Sequence, residues 1–295
     1  MPEPRPTMIF LHIPRTGGTT LKKLPERNYG RDQIFDLYDS DNAARIRWFA
    51  QLSESQRANY KCIKGHLFFG FHKLVPGQST YVTFLREPIA RVRSFYAYVR
   101  AHPEHYLHRD LLEQRLGLKE LLRHPGTEEL CNLQTRMIAG DLENPEQVVD
   151  RVALERAKEN LRTHFSVIGL TEQFDASLLL LARAQGWPLP LYVKSNANRG
   201  APETIDAKTR DLVGESNALD LELYQFGQQL FQAQLSRAGE SFQSEIRRFK
   251  RLNFWGAHAY ECLAKLTRSG RQGNGDRGEV GGPPVSSQKG ADLKM

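Results

Sequence analysis

Two short stretches of this chain carry residue types suited to gripping a tetrahedral oxyanion. The first, Leu11-His-Ile-Pro-Arg15-Thr16-Gly17-Gly18-Thr19-Thr20-Leu21, combines a glycine pair, three threonine hydroxyls and one cation. Backbone N–H groups after such glycines would face one concavity at the positive end of a helix. The hydroxyls add donors, and Arg15 adds a planar fork that matches an oxyanion. The GxxxxGK[ST] spacing of a nucleoside triphosphatase is absent. In the second stretch, Phe84-Leu-Arg86-Glu-Pro88-Ile-Ala-Arg91-Val-Arg93-Ser94-Phe-Tyr96, Arg86 ends an apolar run and Ser94 lies two helical turns further on. The two can then close on one phosphate from opposite sides. Taken singly, the first stretch also reads as a glycine turn with a threonine cap, and the second as an arginine paired with Glu87.

A proton acceptor is found in Lys64-Gly65-His66. An unperturbed imidazole titrates near about 6.5, so it is largely neutral at pH 7 and able to act as a base. Of the nine histidines, His66 stands out because a buried strand precedes it and Gly65 lets the backbone come close. His12 lies inside a strand and reads as an orienting or packing residue. Asn132, Gln134 and Arg136 form a polar helix face that suits an anionic or hydroxyl-rich acceptor.

The elements that must position these residues alternate between strand and helix. Apolar runs predict buried parallel strands at residues 7–13, 60–64, 80–85 and 166–169. Helices are expected at 19–24 and 171–184, each opened by a threonine N-cap, and at 89–100, with Pro88 in the first turn. Residues 107–165 have a helical pattern, and two more helices are expected near 205–215 and 218–233. This alternation argues for a parallel α/β sheet with ligands at the carboxyl ends of its strands. The expected organisation is one α/β domain over residues 1–239, a basic aromatic helical extension over 240–267, and a disordered tail rich in Gly, Ser, Pro and charge over 268–295.

With 295 residues, 40% hydrophobic and 25% charged, the chain has the make-up of a soluble globular protein. A net charge of +7 favours anionic ligands. The three cysteines are widely spaced and suggest reduced thiols rather than a zinc site or a disulfide framework. No run is apolar enough to span a bilayer and no leader is apparent, which gives the expectation of a cytoplasmic protein.

Taken together, HIPRTGGTTL followed by LREPxxRVxSxY resembles the sulfotransferases that use 3′-phosphoadenylyl sulfate (PAPS), in the branch containing the heparan sulfate 2-O- and 6-O-sulfotransferases. The segments NLQTRM at Asn132–Met137, VIGLTE at Val167–Glu172, KSNANRG at Lys194–Gly200 and LDLELY at Leu219–Tyr224 extend the likeness. The resemblance implies a P-loop-like parallel sheet flanked by helices. It implies that Arg15, Thr16, Gly17, Gly18, Thr19 and Thr20 hold the 5′-phosphosulfate, and that Arg86 and Ser94 hold the 3′-phosphate. Lys194, Ser195, Arg199 and Gly200 would close over the adenosine, His66 would be the catalytic base, and Asn132, Gln134 and Arg136 would lie beside the acceptor. The implied reaction moves a sulfuryl group from PAPS to a hydroxyl of a glycan or glycolipid, releasing adenosine 3′,5′-bisphosphate (PAP), without a metal. The family often has lysine where Arg15 stands, and a guanidinium can stabilise charge there without donating a proton. Two other readings are a P-loop-type nucleotide kinase and a non-enzymatic basic binder of glycan or nucleic acid. The RRFKR run at Arg247–Arg251 suits the last of these, or peripheral contact with a membrane.

Overall fold

In the computed structural model, residues 5–38, 41–124, 127–140, 149–192 and 205–255 are described. Five parallel strands form the sheet: β1 (Thr7–Leu11), β2 (Ile34–Leu37), β3 (Cys62–Gly65), β4 (Ser79–Leu85) and β5 (Phe165–Leu170), in the order β2-β3-β1-β4-β5. Every residue of β1 is buried, as expected of a central strand covered on both faces. The chain leaves β1 for β2 and β3 on one side, then crosses to β4 and β5 on the other. That reversal of strand order opens a crevice outside the carboxyl ends of the central strands.

The early helices are α1 (Gly18–Leu21), α2 (Lys23–Asn28), α3 (Asn42–Gln51), α4 (Glu54–Ala58), α5 (Pro88–Ala101), α6 (His108–Glu113) and α7 (Leu118–Leu121). They are followed by α8 (Leu133–Ala139), α9 (Arg151–His164), α10 (Phe174–Gln185), α11 (Ala207–Ser216) and α12 (Ala218–Ala238). The main core joins the strands to α9, α10 and α12, and a smaller one gathers Val92, Phe95, Tyr96 and Val99 of α5 with Leu107, Leu111, Leu121 and Val213.

Several expectations are corrected. Strand β2 was not foreseen: it is four residues long, lies at the sheet edge and has Asp36 in the middle. Neither threonine cap forms. α1 begins at Gly18, after Gly17 in the N-cap position and without a side-chain cap, and Thr171 opens a 3-10 turn while its hydroxyl donates to the Leu85 carbonyl at 3.0 Å. Residues 241–255 are helical, and Phe242, Ile246 and Phe249 enter the main core. The remainder of the expected extension and the tail lie outside the described residues.

Candidate functional site

Three loops meet at the carboxyl edge because the strands before them are neighbours. β3 leads to His66, β1 to the glycine loop and β4 to Arg86.

After β1 the chain turns through Arg15, whose φ of 72° lies in the left-handed region. Thr16 is wholly buried, and its hydroxyl donates to the Ile13 carbonyl at 2.8 Å. This bond closes the turn and uses the hydroxyl's only proton, so Thr16 does not supply the outward side-chain donor expected of it. A Cβ added at Gly17 would come within 2.7 Å of the Phe174 ring, and one at Gly18 within 1.9 Å of the His12 ring. The glycines make room for rings packed beneath the loop, and those rings set its shape. α1 has only four residues, so little dipole accumulates along it. The positive potential must come from side chains.

Those side chains converge. Arg86 Nη1 donates to the Arg15 carbonyl at 2.9 Å, and Arg15 Nε donates to Ser94 Oγ at 3.2 Å. The Arg15 guanidinium lies over the Tyr98 ring, 4.4 Å from its centre. Burial pulls the pKa of both guanidiniums down, and for Arg15 the neighbouring Arg86 adds to the effect. Arg86 Nε is buried with no hydrogen-bond partner. Two adjacent half-buried cations, one with a buried unsatisfied donor, form an arrangement that an anion would relieve.

Gln134 holds the main chain of Arg86 from both sides. Its Oε1 accepts from Arg86 N–H and its Nε2 donates to Arg86 O, each at 2.9 Å. Asn132 Oδ1 accepts the N–H groups of Leu219 and Asp220, both at 3.1 Å. The Gln134 amide and the Asn132 amide oxygen thus bond main-chain groups, whereas the sequence left these residues open between acceptor contact and a plain helix face. Arg136 is the partly exposed charged member of that trio. The end of α8 packs on the loop after β3, where Phe69 N–H donates to the Met137 carbonyl at 2.8 Å.

His66 follows Gly65, whose φ is 152° and where a Cβ would lie 2.3 Å from the Leu37 carbonyl oxygen. Its Nδ1 is 2.9 Å from the His12 carbonyl, its ring stacks on His12 at 4.7 Å, and Tyr38 meets it edge-on at 5.1 Å. Burial lowers its pKa, against a smaller opposing effect of the bond to His12. The neutral ring with its proton on Nδ1 presents a lone pair at Nε2.

Sequence reasoning quoted Lys64 but gave it no role. Its side chain is 1% exposed, with Nζ 2.5 Å from Glu26 Oε1, 3.2 Å from Asp36 Oδ2 and 2.7 Å from the Lys22 carbonyl. It ties β3 to β2 and α2, two residues before His66 in the chain. A lysine in an apolar strand was a visible signal, but its partners were not adjacent in sequence. Lys194, Ser195, Arg199 and Gly200 lie outside the described residues.

The galactose-3-O-sulfotransferase family profile matches residues 2–254. Galactose-3-O-sulfotransferase 3 of Mus musculus is 30% identical over 191 residues, covering 61% of this chain and 44% of its own. The protein of that name in Homo sapiens is 27% identical, covering 81% and 60% respectively. Heparan-sulfate 6-O-sulfotransferase 2 of Gallus gallus is 23% identical, covering 82% and 70%. The chain therefore spans about half the length of the galactose-3-O-sulfotransferase 3 relatives. A solved sulfotransferase structure from Alicyclobacillus acidocaldarius aligns with a TM-score of 0.42 at 14% identity, covering 78% of this chain and 96% of that one. The expectation of a cytoplasmic protein does not stand, because these curated relatives are not cytoplasmic enzymes. Among the described residues, no helix is long and apolar enough to cross a membrane.

Proposed function

The chain belongs to the galactose-3-O-sulfotransferase family, and from that premise we propose that it transfers a sulfuryl group from PAPS to a carbohydrate hydroxyl. The observation that carries this reading is the meeting of Arg15, Arg86 and Ser94 beside the strand that leads to His66.

The cluster fits the donor. PAPS carries a 3′-phosphate and a 5′-phosphosulfate, and an anion would answer the buried, unsatisfied Nε of Arg86. Arg86 and Ser94 take the 3′-phosphate. The Gly17–Thr20 turn takes the 5′-phosphosulfate. Arg15, always protonated, contributes positive charge and no proton.

Transfer is an in-line displacement. The acceptor oxygen bonds to sulfur as the bond from sulfur to the bridging phosphate oxygen breaks, PAP departs, and the acceptor proton passes to Nε2 of His66. Arg136, at the end of α8 beside the loop after β3, faces the acceptor. The family name makes a galactosyl hydroxyl the first acceptor to test.

Thermal stabilisation by PAP, AMP and ATP tests the donor. PAP should stabilise most, and Arg86→Ala should remove most of its advantage over AMP, in keeping with about 1.5–3 kcal/mol for a charge-assisted hydrogen bond. Equal stabilisation by AMP and PAP in the wild type would overturn the reading. Stabilisation by ATP above PAP would favour a kinase.

A further inference from the structure

We propose that the outer face of the helix over residues 241–255 docks on an anionic membrane surface, where Phe254 and Trp255 enter the lipid boundary and the neighbouring arginines hold phosphate headgroups. This inference goes beyond the donor reading and does not depend on it.

The helix has two distinct faces. Phe242, Ile246, Phe249 and Asn253 follow one another four, three and four residues apart, so they form one stripe. The first three are buried, and Asn253 Oδ1 accepts the N–H of Tyr192 at 3.1 Å. That stripe is the packed side. Arg247, Arg251 and Phe254 make a second stripe with helical spacing, flanked by Arg248 and Trp255. All five are exposed, Phe254 by 56% and Trp255 by 68%, and the two rings lie 5.6 Å apart. Glu245 is the only acid within residues 241–255, and Arg183 binds its carboxylate at 2.8 and 2.9 Å. The outward face is cationic and aromatic.

Its place in the fold matters as much as its chemistry. α10 starts at Phe174, near the carboxyl edge of the sheet, and the helix over 241–255 runs back along it. At one end Arg183 bonds Glu245 and lies over the Phe242 ring, 4.7 Å from its centre. At the other, the Tyr192 hydroxyl donates to Asp175 Oδ1 at 2.9 Å, and its ring meets Phe174 at 5.3 Å. Phe174 is the ring packed against Gly17. Phe254 and Trp255 therefore stand on the glycine-loop side of the domain. The exposed Leu189 and Leu191 lie in the loop that Tyr192 ties to Asn253. Contact there brings the carboxyl edge of the sheet toward the membrane surface.

Charge and ring placement choose the occupant. Arginine binds a phosphate headgroup through its forked donors while its stem lies along apolar surface. Large rings standing among the arginines suit the boundary between headgroups and acyl chains. A soluble polyanion would take the arginines and leave the rings in water. A second copy of the chain would set like charges against each other across a two-fold axis. An anionic bilayer answers both features at once.

The test is sedimentation of the full chain with phosphatidylcholine vesicles, alone or with about one third phosphatidylserine. The wild type should pellet with the mixed vesicles and remain in solution with phosphatidylcholine alone. Arg247→Gln, Arg248→Gln and Arg251→Gln should each weaken binding about fivefold, and Trp255→Ser about tenfold. Trp255→Phe should keep most of the binding and lose the blue shift of tryptophan emission that vesicles induce in the wild type. Thermal midpoints should stay at the wild-type value, because the altered side chains are exposed. A wild type that ignores the mixed vesicles overturns the proposal. Binding that falls in the arginine variants but survives Trp255→Ser and Phe254→Ser, with dextran sulfate competing fully, assigns the face to a polyanion instead. Lowered midpoints with unchanged vesicle binding show that the face is covered within the chain. Loss of self-association in the ring variants, again with vesicle binding unchanged, gives the face to a second copy. Each of these three results also overturns it.

Discussion

Asn132 and Asp220 cap each other's helices. Asn132 Oδ1 accepts the N–H groups of Leu219 and Asp220 at the start of α12. In return, the Asp220 carboxylate accepts the N–H groups of Gln134 and Thr135 at 3.1 and 2.7 Å and the Thr135 hydroxyl at 2.8 Å, at the start of α8. Asn217 completes the joint: its Oδ1 accepts from Asn132 N–H at 3.0 Å, and its Nδ2 donates to the Leu130 and Val213 carbonyls at 2.8 and 3.0 Å. The NLQ and LDLELY segments are two halves of one structural joint, and through Gln134 that joint reaches Arg86.

The first prediction follows from the burial of Asp220, which is 0% exposed and electrostatically favours the equally buried Arg91. Asp220→Ala strands two buried N–H groups and leaves Arg91 without that carboxylate. The expected loss is about 3–5 kcal/mol, as for removing a buried carboxylate that accepts three hydrogen bonds. Asn132→Ala removes a cap at a partly exposed position and should cost about 1–2 kcal/mol. Urea denaturation ranks the two, and equal small losses would contradict the joint.

The second prediction separates positioning from acceptor contact at Gln134. Gln134→Ala frees the main chain of Arg86 and should weaken PAP about tenfold, with a stability loss of about 1–3 kcal/mol. The KM of a carbohydrate acceptor should change little. A raised acceptor KM with normal PAP affinity would restore the acceptor role.

The distinction between legible and illegible features follows the range of the interactions involved. β1 and β4 announce themselves as apolar runs, and Pro88 marks the first turn of α5, because strand burial and proline geometry are local. Arg86, Ser94 and the glycine loop were legible together because strand ends in a parallel sheet share an edge. The destinations of polar side chains were not legible. The Thr16 hydroxyl turns back three residues, Gln134 reaches 48 residues to Arg86, and Asn132 reaches 87 residues to α12. Composition cannot distinguish an amide that faces ligand from one that mends a distant backbone. Tyr98 was visible as an aromatic of α5, but its partner Arg15 lies across the sheet edge.

The third prediction concerns the contact between Gly18 and His12. Gly18→Ala would drive a methyl into the ring, at 1.9 Å from Cε1, and the ring is wedged between Phe10 at 5.4 Å and His66 at 4.7 Å. A loss of about 1–3 kcal/mol is expected from overpacking, together with displacement of His66. Removing the ring should relieve the clash, so His12→Ala combined with Gly18→Ala should be more stable than the sum of the single losses. Strict additivity in denaturation experiments would show that the ring does not determine the need for glycine.

The last prediction concerns pH. The carbonyl of His12 accepts from Nδ1 of His66, which leaves Nε2 as the basic atom, and burial lowers the pKa of that ring below its ordinary 6.5. His12 is lowered further, by burial and by the neighbouring His66, and neither of its ring nitrogens has a hydrogen-bond partner. As pH falls, His66 stays neutral past the point at which an exposed histidine would take a proton. The acid limb of kcat/KM should therefore lie below 6.5. The same shifts bear on stability. With pKa values lower in the folded chain than in the unfolded one, the unfolded chain binds protons first. The stabilisation is complete above about pH 6.5 and declines as pH drops toward the folded values, by up to about 1.4 kcal/mol per pH unit for each histidine. His12→Asn should flatten that decline in denaturation midpoints taken between about pH 5 and pH 8. His66→Asn should abolish transfer while PAP still binds. Loss of PAP binding in His66→Asn, or an acid limb at or above the ordinary histidine value, would remove His66 from the role of base.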